Sequence, residues 1–190
     1  MFSTGESFAA LSTLPWCIAA AAALIAAIWD VRTQRIPNIL TLPLLVGGLA
    51  WSGWTGGAAG LTDALAGAGL LALPCFVLFV FAGGGAGDVK LLGALGSWLG
   101  LDNALLVLVC VAAAGVICGL ATAIFRGKVR ILFSNLSHIL TGFALALGTR
   151  RMQVGRVMLP EEHRMQTMPY GVPICLGVWI AAGGQWLWAW

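Results

Sequence analysis

The stretch ALAGAGLLALPCFVLFVFA, residues 64–82, carries no charged side chain and runs straight into Gly83-Gly84-Gly85-Ala86-Gly87-Asp88-Val89-Lys90. A helix rises about 1.5 Å per residue and the hydrocarbon layer of a bilayer is about 30 Å thick, so an apolar run of this length spans it. No water is available in lipid to satisfy exposed N–H and C=O groups, which restricts such a span to a helix or a closed barrel. The glycine block then ends the span, and an aspartate opens the next segment.

Working outward, four more segments read as spanning helices: Leu11 to Trp29, Ile39 to Trp54, Ala104 to Phe125, and Tyr170 to Trp190, the last ending in an aromatic belt. A sixth, Val89 to Leu101, reaches only about 20 Å and needs a thinned bilayer or help from its flanks. Over its 190 residues the chain is 60% hydrophobic and 9% charged, which excludes a soluble core covered by polar side chains. The expected fold is all-α: a single membrane-embedded domain over residues 1–190, built as a polytopic bundle of six transmembrane helices plus one interfacial or re-entrant helix over Ile131 to Gly148.

Charge placement sets the expected orientation. With six spans, all ten Lys and Arg residues (Arg32, Arg35, Lys90, Arg126, Lys128, Arg130, Arg150, Arg151, Arg156 and Arg164) fall on one face. The positive-inside rule makes that face cytoplasmic, with a basic loop at about 126–168. It puts the N-terminus, a short Trp51 to Asp63 loop, a turn at Asp102 and the C-terminus outside. A spanning Ile131 to Gly148 would export four arginines. The alanine-rich start has no Lys or Arg before Arg32, so it lacks the basic region of a signal peptide and reads as a retained span. Attraction to lipid headgroups accounts for the basic loop, membrane lipids being the expected contact and nucleic acid not.

The seven acids then sort by depth. Glu6, Asp63 and Asp102 lie outside, Glu161 and Glu162 in the basic loop, and Asp30 and Asp88 at cytoplasmic helix ends. An ionisable group at membrane depth is costly and marks a functional hypothesis. Either aspartate alone is an ordinary capping or topological residue; two at matched depth are more. Carboxyl groups a few ångströms apart cannot both ionise, so they share a proton, leaving one as base for water and the other as acid for a scissile carbonyl. Gly85 and Gly87 lack the side chains that would keep a substrate backbone away. Lys90 either tunes the pair or holds a substrate carboxylate, an interfacial anchor being the plainer alternative. A proton or cation relay in a small transporter or channel remains the rival reading, and it calls for carboxylates near the bilayer midplane.

No metal or cofactor is expected. Cys17, Cys75, Cys110, Cys118 and Cys175 stand singly in apolar stretches, without a C-x-x-C pair, and read as reduced buried thiols. His138 and His163 are isolated, and the glycine block lacks the ending of a phosphate-binding loop.

The block Gly85-Ala86-Gly87-Asp88-Val89-Lys90-Leu91-Leu92 resembles the GxGDxKLL motif of the type IV prepilin peptidases, membrane aspartyl proteases of the GxGD group. Asp30-Val31-Arg32 through Arg35-Ile36-Pro37-Asn38 is similar to that family's first-aspartate segment, and Met168-Pro169-Tyr170-Gly171-Val172-Pro173 to its P-Y-G block. The resemblance implies Asp30 and Asp88 as the catalytic pair; Gly85, Gly87 and Lys90 are the substrate-binding residues expected from the residue chemistry above. It implies prepilin and pseudopilin precursors as partners, cleaved at the cytoplasmic face of a bacterial inner membrane. Another GxGD protease, such as a preflagellin peptidase, is the nearest alternative. Bifunctional members carry a domain with paired C-x-x-C motifs between the first two spans and also methylate the new N-terminus. Here that connection is only Val31 to Asn38, so the chain resembles the compact peptidases of tight-adherence (Flp) pili, which lack methyltransferase activity.

Overall fold

The structure, a computed structural model, describes residues 4–82, 85–125 and 170–188, and these are helical apart from short connections. Four helices follow in order: α1 (Thr4–Thr33), α2 (Asn38–Ala82), α3 (Ala86–Phe125) and α4 (Gly171–Trp188). Three of them are long and apolar enough to cross a membrane. Their outward faces carry large exposed apolar side chains such as Ile25, Ile28, Val109, Val116 and Ile117, which a membrane protein turns to lipid.

Single glycines divide the two longest helices. Gly57 in α2 (φ 60°, ψ −142°) and Gly100 in α3 (φ 71°, ψ 179°) adopt left-handed backbone, where a Cβ is unfavourable. Each helix is therefore two limbs: 38–56 and 58–82 in α2, 86–99 and 101–125 in α3. Cross-contacts give their directions. Along the first limb of α2, Asn38 meets Lys90 and Leu44 meets Trp98, a parallel course. Along the second limb, Asp63 meets Leu101, Gly67 meets Gly96 and Ala72 meets Gly93, an antiparallel one. The limbs of α2 thus run antiparallel to each other, and the chain reverses at Gly57. Gly177 of α4 lies against Val111 and Gln185 reaches Asn103, while Trp179 and Gly171 meet Ala20 and Asp30. So α4 opposes both α1 and the second limb of α3, which reverses at Gly100.

Two expectations from the sequence are corrected here. The loop expected from Trp51 to Asp63 is helical throughout except at Gly57, and the turn expected at Asp102 falls at Gly100, with Asp102 inside the second limb. A single left-handed glycine is enough to reverse a helix, so no run of polar residues is needed. The expected helix over Ile131 to Gly148 and the basic loop at 126–168 lie outside the described residues.

Small residues set the core. On α1 the buried positions are Trp16, Ala19, Ala22, Ala23, Ala26, Ala27 and Asp30, a helical stripe almost wholly of alanine that lets α4 and α3 approach closely. The short first limb of α3 is the centre of the bundle. Residues 91–97 are all buried, and a Cβ on Gly96 would meet the Gly67 carbonyl group and, at 2.8 Å, Ala68 Cα. Enclosed by neighbours, this limb has no need to match the thickness of the bilayer, which resolves its length of only about 21 Å.

Candidate active site

Asp30 ends the alanine stripe of α1 and is 6% exposed. Beyond it the helix stops at Thr33, whose single hydroxyl proton can go to the carbonyl of either Trp29 or Arg35 (2.9 and 3.0 Å), and Gln34 turns the chain at φ 52°. Residues 34–37 then lead into α2, where the Pro37 carbonyl accepts from the N–H groups of Leu40 and Thr41. The Asp30 carboxyl itself accepts a buried hydrogen bond, 2.8 Å, from the backbone N–H of Gly171 at the head of α4.

Asp88 arrives from the other direction. It is the third residue of α3, and its N–H donates to the Gly85 carbonyl (3.2 Å) in the turn that starts the helix. The two flanking glycines set its place. A Cβ at Gly85 would sit 2.7 Å from Asp88 Oδ2, and one at Gly87 would sit 3.1 Å from Ile36 Cβ. Without a side chain at 87, the start of α3 rests directly on the connection between α1 and α2, which carries Asp88 to Asp30. The two carboxylates are within electrostatic reach of each other, and the phenol of Tyr170 and the thiol of Cys75 are within reach of Asp88.

Asp30, Gly85, Gly87, Asp88 and Lys90, every site residue expected from sequence, line one cavity of about 310 Å³. Arg35 and Asn38 line it as well. Lys90 Nζ donates to Asn38 Oδ1 (3.0 Å), tying the start of α3 to the start of α2 across the mouth of the site. Two carboxyl groups, the cations Arg35 and Lys90 and a glycine-bared backbone around one cavity make a site able to hold an extended peptide and move protons around it. Sequence reasoning did not give a role to Arg35 or Gly171. The Pro-Tyr-Gly segment before α4 was a signal for the second, but only the packing of α4 on α1 shows what its glycine does.

A model of the type IV leader peptidase family matches residues 17–147, a stretch that contains both aspartates. The chain belongs to the type IV leader peptidase family. It is 42% identical over 134 residues to a prepilin leader peptidase/N-methyltransferase of Burkholderia pseudomallei, covering 66% of this chain and 41% of that protein. It is 31% identical over 159 residues to a protein of the same name from Aeromonas hydrophila (80% and 43%), and 35% identical over 106 residues to one from Neisseria gonorrhoeae (52% and 37%). The chain thus spans about two fifths of the length of these curated relatives. No solved structure matches. Within the family region, α1 and the first limb of α3 supply the two acids, whereas α4 lies beyond residue 147.

Proposed function

We propose that this member of the family is an aspartic endopeptidase that removes the leader peptide of type IV prepilins and related pseudopilins, with Asp30 and Asp88 as its catalytic pair. The observation that carries the reading is the convergence of two aspartates, 58 positions apart in the chain, on one cavity at the same end of the bundle. One carboxylate takes a proton from water as it attacks the scissile carbonyl; the other, protonated, donates to the carbonyl oxygen and the roles reverse as the amine leaves. Gly85 and Gly87 leave room for the substrate backbone beside Asp88, and Lys90, steadied by Asn38, faces the precursor from the rim.

The six antiparallel limbs are read as six spans of one membrane-embedded domain, with an interfacial helix in the basic loop. Arg32, Arg35 and Lys90 flank the aspartate end, so the positive-inside rule supports a cytoplasmic active site in a bacterial inner membrane. The connection over residues 34–37 is too short to hold a further domain between α1 and α2, in keeping with a compact peptidase of the Flp type acting without methylation. A proton or cation relay is disfavoured because both carboxyls sit at helix ends. The test is cleavage of a prepilin by the purified, reconstituted protein: wild type is expected to release the leader, and Asp30→Asn and Asp88→Asn to leave the precursor intact. Processing at near wild-type rate by either variant sinks the reading.

A further inference from the structure

We propose that the backbone N–H of Gly171, the first residue of α4, is a positioning group of the active site: it fixes one oxygen of Asp30 so that the other is presented to the cavity. The inference rests on the aspartyl-peptidase reading above and adds α4 to a site otherwise built from α1, α3 and the connection into α2.

Two independent features of the geometry carry it. The first is the buried 2.8 Å hydrogen bond from Gly171 N to Asp30 Oδ2, made across 141 positions of sequence. The N–H groups of a helix's first turn have no partner inside the helix, so α4 offers this donor at no cost to its own ladder. The second is the closeness of approach. A Cβ at Gly171 would lie 2.9 Å from Asp30 Cβ and 3.1 Å from both Ala27 Cα and Asp30 Oδ2. Any other residue at 171 would push α4 off α1 and lengthen the bond. Asp30 has two torsions, and with Oδ2 tethered the plane of the carboxyl is set before substrate arrives, which is the preorganisation that acid–base chemistry needs. The charged and titratable groups around the pair are Asp88 and Lys90 on α3, Arg35 in the connection, Cys75 on α2 and Tyr170 beside Gly171.

The experiment compares three chains made in nanodiscs and assayed for cleavage of a prepilin peptide, with rates expressed per folded molecule. Glycolate in place of Gly171, introduced during cell-free synthesis, turns the N–H into an ester oxygen and adds no atom. Gly171→Ala keeps the N–H and adds the crowding methyl. Gly183→Ala, on the same helix where a Cβ meets nothing within 4 Å, is the control. The ester and Gly171→Ala chains are expected to lose roughly 10- to 100-fold in kcat with KM little changed, and the control to match wild type. A packing role alone would spare the ester chain, so a wild-type kcat for it overturns the inference. Asp30→Asn and Asp88→Asn run in parallel separate the two levels. If both are inactive while the ester chain is normal, only the Gly171 assignment fails; if either is active, the peptidase reading itself fails.

Discussion

The two ends of the bundle use the same device to different effect. At one end the Asp30 carboxyl accepts the N–H of Gly171, which starts α4; at the other the Asp63 carboxyl accepts the N–H of Leu101 (3.1 Å), which starts the second limb of α3. In both places a glycine makes room: a Cβ on Gly171 would crowd Asp30, and one on Gly100 would meet Asp63 Oδ2. Both ends open into a cavity of about 310–320 Å³. They lie about 21 Å apart along α1, from Trp16 to Asp30, by helix rise. The difference is the second acid. Asp30 and Asp88 line one cavity, whereas the cavity beside Asp63 is walled, among the described residues, by Trp16, Trp51 and Trp98 and by Ser52, Thr55 and Asn103, with no second acid. A lone aspartate satisfying a helix start is a cap; the same aspartate opposite another becomes a candidate for proton transfer.

That contrast breaks first if the two ends do not face opposite sides of the membrane. In a background without the native cysteines, Gly57→Cys is expected to react completely with an impermeant thiol reagent added from outside, and Lys90→Cys only after permeabilisation. Labelling of both from one side would undo the six-span arrangement. Removing an acid is the next largest effect. Asp30→Asn or Asp88→Asn should cut cleavage by about 10²- to 10⁴-fold, the usual worth of a positioned acid or base, while Asp63→Asn leaves it nearly intact.

Packing between the ends is probed at Gly96. A methyl group there would strike the backbone of Gly67 and Ala68, so Gly96→Ala is expected to destabilise the bundle by about 1–3 kcal/mol or more, read as a lower Tm and poorer accumulation in the membrane. Asp63→Ala removes a cap rather than a reactant, and a loss of about 1 kcal/mol in stability with normal cleavage per folded chain is expected. The smallest effect belongs to reagents. Hydrolysis should survive a strong chelator and thiol alkylation, because the proposed chemistry uses two carboxylates and water; activity lost to the chelator and restored by zinc would contradict it.

Much of this site was legible in residues close together in the chain. Gly85-Ala86-Gly87-Asp88 announces a helix start stripped of side chains, and Asp30 falls at the end of an apolar span, so their matched depth follows from counting residues. Other features were not legible. Hydropathy marks Trp51 to Asp63 as a less apolar interval and suggests a loop, yet the helix continues through it and one backbone torsion at Gly57 makes the reversal. The short Val89 to Leu101 segment looks mismatched with the bilayer because hydropathy assumes lipid on all sides, whereas the folded protein surrounds residues 91–97 with other helices.

By itself, then, the sequence determined which segments are apolar enough for helices in lipid and that Asp30 and Asp88 sit at helix ends, since both depend on composition and rise per residue. Only the tertiary structure decided that Gly171 docks its N–H on Asp30, that Gly87 rests on Ile36, and that Asp63, at the far end, accepts the N–H of Leu101 beside a cavity lined by no second acid among the described residues. Those outcomes depend on how closely two backbones approach across 38 to 141 positions of chain. That distance is set by the small residues of both partners at once and by the reversals that bring them together, and no local pattern in either segment encodes it.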